Sequence, residues 1–285
     1  MTVNLWQNMR NASRNLASIM ALSAALGVGA SVSPAQALGR DGKDDTAYTI
    51  KRIYKALESN RYRVGLKMNM ESPVGAVDMV ETMVMKELTK AAKDDGSSTT
   101  VFDFESASVT VNGMDIDLTP MLPKIITTRD KDGKSAVKVE GGDEALTAQM
   151  GEQVKQYTNF GTVFMPAKPV KVGDSWDVNA TGFGSKDQTV KGKVTLVSVD
   201  TVKGVKVAKL KSIMDITGAN ELNMHSDTTT LVDLATGKAL DMTMKTDGNT
   251  GSGKLSMQMN MKMIDPDDKS DAKQPIKASA DVKKP

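Results

Sequence analysis

The stretch L-S-M-Q-M-N-M-K-M, residues 255–263, alternates without interruption: Leu255, Met257, Met259, Met261 and Met263 are apolar, while Ser256, Gln258, Asn260 and Lys262 are polar. Successive side chains of a strand point to opposite faces, so this period of two predicts a strand with one dry and one wet face. Residues 61–71 repeat the pattern, with Tyr62, Val64, Leu66, Met68 and Met70 set against Arg61, Arg63, Gly65, Lys67, Asn69 and Glu71. The dry side of both strands is rich in thioether.

Working outward, most of the chain reads as β-meander. The second strand turns at S-P-V-G (72–75) and returns through residues 76–90, and K-D-D-G (93–96) leads into a strand at 99–111. Asn112-Gly113 supplies the two positive φ angles of a type I′ hairpin. Residues 125–128 and 136–139 flank the D-K-D-G turn at 130–133, which lacks the sixth-position glycine and twelfth-position glutamate of a calcium loop. Later strands are expected at 189–199, 205–216, 222–234 and 239–244, with turns at Lys203-Gly204 and A-T-G-K (235–238). Residues 48–57 are ambiguous, because Ile50, Ile53, Tyr54 and Leu57 have helical spacing; their β-branched and aromatic content favours a strand.

Residues 141–176 interrupt this pattern. Asp143 and Glu144 suit a helix start, and Leu146, Met150, Val154 and Tyr157 form one apolar stripe, so a helix packed on the sheet is expected. The following linker contains Pro166 and Pro169, which hold the backbone extended, then Gly173, Asp174 and Trp176; it reads as a structural clip that anchors on the core. The expected fold is therefore mainly β (α+β), a large curved antiparallel sheet or half-barrel meander with one central amphipathic helix. One domain spans 38–264, made of a first meander (38–140), helix and linker (141–176) and a second meander (177–264). Residues 265–285 have no periodicity and few apolar groups, which predicts a disordered tail.

The first 37 residues carry Arg10 and Arg14, an apolar run at 16–32, and A-Q-A at 35–37, the layout of a signal peptide cleaved before Leu38. Lys and Arg total 37 against 35 Asp and Glu, and removal of those two arginines leaves 35 of each. A near-neutral chain argues against nucleic acid as partner. No later run approaches the roughly 20 apolar residues of a membrane span. Cysteine is absent, which removes disulfides, thiolate metal sites and the lipid-bearing residue of a lipoprotein. An exported, periplasmic or secreted protein that is not a lipoprotein is expected.

The run P-A-K-P-V-K-V-G-D-S-W (166–176), placed before D-L-A-T-G-K at 233–238, resembles a motif of uncharacterised secreted bacterial β-rich proteins. More distantly, the layout is similar to the half-barrel periplasmic lipoprotein carriers, and that resemblance implies a hydrophobic cargo.

Catalytic motifs are missing. His225 is the sole histidine, Ser226 and Asp227 are its chain neighbours, and there is no G-x-S-x-G, phosphate loop or evident carboxylate couple. Neither a catalytic residue nor a cofactor is expected. The distinctive feature is the set Met68, Met70, Met83, Met85, Met242, Met244, Met257, Met259, Met261 and Met263, each pair at strand spacing. Such a polarizable lining accepts varied apolar ligands, so a non-enzymatic protein binding an apolar small molecule or lipid is the leading expectation. The alternatives are a structural or envelope interaction protein without a ligand, and Cu(I) binding by thioethers.

Overall fold

The computed structural model describes residues 46–73, 75–142, 147, 164–182, 187–219, 221–251 and 253–265. Twelve strands follow in order: β1 (Ser59–Ser72), β2 (Gly75–Ala92), β3 (Ser98–Val111), β4 (Met114–Asp117), β5 (Lys124–Arg129), β6 (Ser135–Glu140), β7 (Ser175–Thr181), β8 (Thr189–Val202), β9 (Val205–Thr217), β10 (Asn223–Asp233), β11 (Ala239–Thr250) and β12 (Gly253–Ile264). They form one open antiparallel sheet in the order β6-β5-β3-β2-β1-β12-β11-β10-β9-β8-β7, with β4 paired to β3 alone.

Tight turns build this meander. Asn112 and Gly113 adopt φ of 48° and 82°, and Lys203 and Gly204 adopt 50° and 82°, the positive pair that joins twisted strands by a two-residue hairpin. The two alternating stretches become β1 and β12, which pair side by side: Met68 opposes Met257, Leu66 opposes Met259, and Val64 opposes Met261. Strands from the two ends of the described chain thus meet mid-sheet. The edges are β6 and β7, consecutive in sequence. Ahead of β7, Phe164, Met165 and Val170 pack with Val178, Val190, Val194 and Leu196 on the dry face.

The dry face carries two clusters. One comprises side chains of β1 to β3, β5, β11 and β12, with Leu118 from the turn after β4. The other belongs to β7 through β10 and takes in Tyr48 and Ile50. Each fully buried aliphatic or thioether side chain contributes about 1.5–3 kcal/mol, so this face dominates stability.

Three expectations change or go unaddressed. Residues 48–57 are not a ladder strand: Tyr48 makes one bridge, to Val170, and the rest crosses the sheet as an extended strap that ends in a turn at Ala56 and Leu57. The strap binds other segments by side chains and single backbone bonds, which explains why its spacing fitted neither regular element. The linker is shorter than expected, because Ser175 and Trp176 already belong to β7, a strand missed at the sequence level. The proposed helix, apart from Thr147, the targeting segment and almost all of the tail lie outside the described residues. Among the described residues no helix is long and apolar enough to cross a membrane.

Candidate functional site

Cross-strand register assembles the methionines into one field on β2, β1, β12 and β11. Met79, Met68 and Met257 form one row, and Leu66, Met259 and Met244 the next. Met83, Val64, Met261 and Met242 form the third. Of the ten methionines expected there, Met68, Met83, Met85, Met242, Met244, Met257, Met259 and Met261 are buried in the first cluster, Met263 packs against it, and Met70 is half-buried. Met79 joins them, a member the sequence reading had passed over. Cross-strand neighbours lie about 5 Å apart at Cβ, so the sulfurs and methyls make a nearly continuous surface.

One residue breaks the apolar character. Glu81 stands in the second row, between Val109 of β3 and Leu66 of β1, with 1% of its surface exposed. Neither carboxyl oxygen has a hydrogen-bond partner in the protein. Burial pushes its pKa up to about 8, so at neutral pH the group is a protonated acid in a thioether field. Leaving such a polar group unpaired costs about 1–3 kcal/mol.

Farther along the same face the lining turns polar. Glu87 of β2 is fully buried; its Oε1 accepts from Arg52 Nη2 at 3.1 Å, and its Oε2 accepts from Asn60 Nδ2 at 3.0 Å and Tyr62 OH at 3.1 Å. Burial opposes the charge on Arg52, yet Glu87 beside it raises the pKa overall. Tyr62 is held well above the usual phenol range by burial and by the same carboxylate, which keeps its hydroxyl a donor. Lys238, from the turn before β11, donates to Glu58 Oε1 and to Asn60 Oδ1 at 3.1 Å. Arg52 and Arg129 both approach the ring of Tyr54, at 4.6 and 5.8 Å from its centroid.

Arg129 is the exception in this cluster. It is 2% exposed, and its Nε, Nη1 and Nη2 have no hydrogen-bond partner in the protein. An unpaired buried ion costs several kcal/mol, and a desolvated cation–π contact returns about 2 kcal/mol. Sequence reasoning missed this whole network. The available signal was period two: Glu81 and Glu87 fall in phase with Met79, Met83 and Met85 on β2.

The remaining candidates do other work. Val170 exchanges both backbone hydrogen bonds with Tyr48, at 2.7 and 2.9 Å, and Pro166 and Pro169 precede it in a segment of turn and bends rather than the extended backbone expected. Gly173 donates its N–H to Leu196, Asp174 accepts from the Lys171 N–H, and Trp176 Nε1 donates to the Phe164 carbonyl. His225 meets Asp215 at 2.8 Å on the wet face, where both are exposed. Among the described residues no three His, Asp or Glu gather as metal ligands do. An open groove of about 660 Å³ lies among the turns at the opposite end of the strands, and none of the ten methionines lines it.

No family model matches the chain, and no curated protein matches it. Among solved structures it is similar to a Bacteroides fragilis protein with a YmcC-like fold, at 9% identity and a TM-score of 0.31, over 77% of this chain and 100% of the other. It is also similar to the hypothetical lipoprotein YmcC of Escherichia coli, at 14% identity and 0.24, over 74% and 89%. A third likeness is to an outer membrane lipoprotein-sorting protein domain from Vibrio parahaemolyticus, at 10% identity and 0.18, over 74% and 88%. The structural similarity to YmcC-like and lipoprotein-sorting folds is distant.

Proposed function

We infer that this chain is an exported, non-enzymatic binding protein that holds an apolar or lipid-like ligand against the methionine face of its sheet. The observation that carries the reading is the thioether field itself, with Glu81 unpartnered inside it. A face selected only for packing favours Leu, Ile, Val and Phe, whose rotamers fix one arrangement, whereas Met leaves the arrangement loose. A protonated carboxyl in that field weakens packing and supplies a single polar handle to an incoming molecule. Thioether side chains repack at low cost, so the buried face opens for a ligand without unfolding its strands. Pockets that accept apolar ligands combine such a lining with few polar groups.

The test is fluorescence titration of the protein with N-phenyl-1-naphthylamine, together with native mass spectrometry of protein purified from its own envelope. Saturable enhancement is expected, weakened at least tenfold by Met244→Trp, which fills the face, while the circular dichroism spectrum is unchanged. Absence both of saturable binding and of co-purified lipid would overturn the reading and leave a scaffold protein in its place.

A further inference from the structure

The unpartnered guanidinium of Arg129 shows which ligand chemistry this face is built for, a point that rests on the apolar-ligand reading above. Glu81 escapes the cost of burial by keeping its proton; an arginine stays charged at any working pH, so that escape is closed to Arg129. The carboxylates nearby answer other cations: Glu87 accepts three hydrogen bonds, and Glu58 takes Lys238 on Oε1 while its Oε2, without a hydrogen bond, faces Arg52 Nη1 at 4.0 Å. Among the described residues the buried cluster sets Arg52, Arg129 and Lys238 against Glu58 and Glu87. It is one negative charge short.

Donors surround the place where that charge belongs. Arg129 is flanked in register by Ser98 and Ser135; Thr127 lies two residues earlier on the same strand face, beside Thr100, which neighbours Thr89. The hydroxyls of Thr89, Thr127 and Ser135 also lack a partner in the protein. From this end the dry face leads through Phe102 and Ile125 to Phe104 and Met85, six residues along β3 from Ser98, or about 20 Å at 3.3 Å per residue. We propose that Arg129 and the adjacent hydroxyls receive the anionic head, a carboxylate or phosphate, of an amphiphile whose aliphatic tail lies along the apolar face toward the methionines. The guanidinium fork presents paired N–H donors to such an oxyanion, and the threonine and serine hydroxyls complete its shell.

The experiment is displacement of N-phenyl-1-naphthylamine from the full chain by hexadecanoate, hexadecyl phosphate and hexadecanol, with inorganic phosphate as the tail-free control. The wild type is expected to prefer at least one of the two anions to the alcohol by tenfold or more; which anion wins distinguishes a free acid from a phosphate headgroup. Arg129→Met is expected to erase that preference by weakening the anion alone, and to raise the melting temperature of the empty protein because it removes an uncompensated charge. Equal displacement by all three chains on wild type overturns the head-group assignment and leaves apolar binding intact. Probe binding that no chain displaces counts against the apolar-ligand reading itself. Inorganic phosphate that stabilises the protein as strongly as hexadecyl phosphate at equal concentration overturns the amphiphile in favour of a plain anion site. Should Arg129→Met fail to fold, the wild-type comparison decides alone.

Discussion

At the scale of single residues, Glu81 makes stability depend on pH with a sign set by its environment. An unfolded glutamate loses its proton near 4.5, while in the fold it keeps it up to about 8. Below the lower value both states are protonated and the contribution is complete. Between the two only the folded state binds the proton, so stability falls as pH rises, by about 1.4 kcal/mol per unit and several kcal/mol in all. Urea midpoints should therefore drop from pH 5 to pH 8.5 in the wild type and stay nearly level in Glu81→Gln. A wild-type midpoint that does not move over that range would contradict the burial of this carboxyl. Arg129 lacks such freedom, which is why its missing partner is sought in a ligand.

At the scale of elements, the strap at 48–57 and the turn before β11 lock each other. Asp233 accepts from the Ala235 N–H and the Thr236 hydroxyl, which shapes the D-L-A-T-G-K turn, and Thr236 then accepts the Ile53 N–H. Gly237 sits where a Cβ would come within 1.9 Å of the Lys51 carbonyl oxygen. Gly204 has a comparable positive φ of 82° but open space around it. Gly204→Ala should cost only the backbone strain, about 1–2 kcal/mol. Gly237→Ala should also displace the strap, with hydrogen exchange showing lost protection at the Ile53 amide and its neighbours. Equal exchange in the two variants would count against this lock. The hairpins were legible because Asn-Gly and Lys-Gly pairs act locally; the strap was not, because its partners lie from about thirty residues away, at Glu87 and Thr89, to well over a hundred, at Val170 and Thr236.

At the scale of the whole molecule, one dry face carries both the core and the candidate site, so stability and binding draw on the same side chains. Met259, fully buried among Leu66 and Met244, should cost about 2–5 kcal/mol when cut to alanine, whereas half-buried Met70 should cost clearly less. Chemical denaturation of both variants measures the difference, and comparable losses would mean that the field is not one packed surface. Alternation in residues 61–71 and 255–263 was enough to establish strands, their dry side and its thioether character, because side-chain direction along a strand is a property of the local backbone. Along β2 the same period sets Glu81 and Glu87 in phase with Met79, Met83 and Met85, but nothing local says that a carboxylate in that phase is buried, so the pair was not legible. Sequence alone therefore determined the class of fold and the composition of its apolar face. Only the tertiary structure decided that β1 lies beside β12, that the strap brings Arg52 to Glu87, and that Arg129 is buried without a counterion, since each depends on which distant segments share a neighbourhood and how much water reaches them.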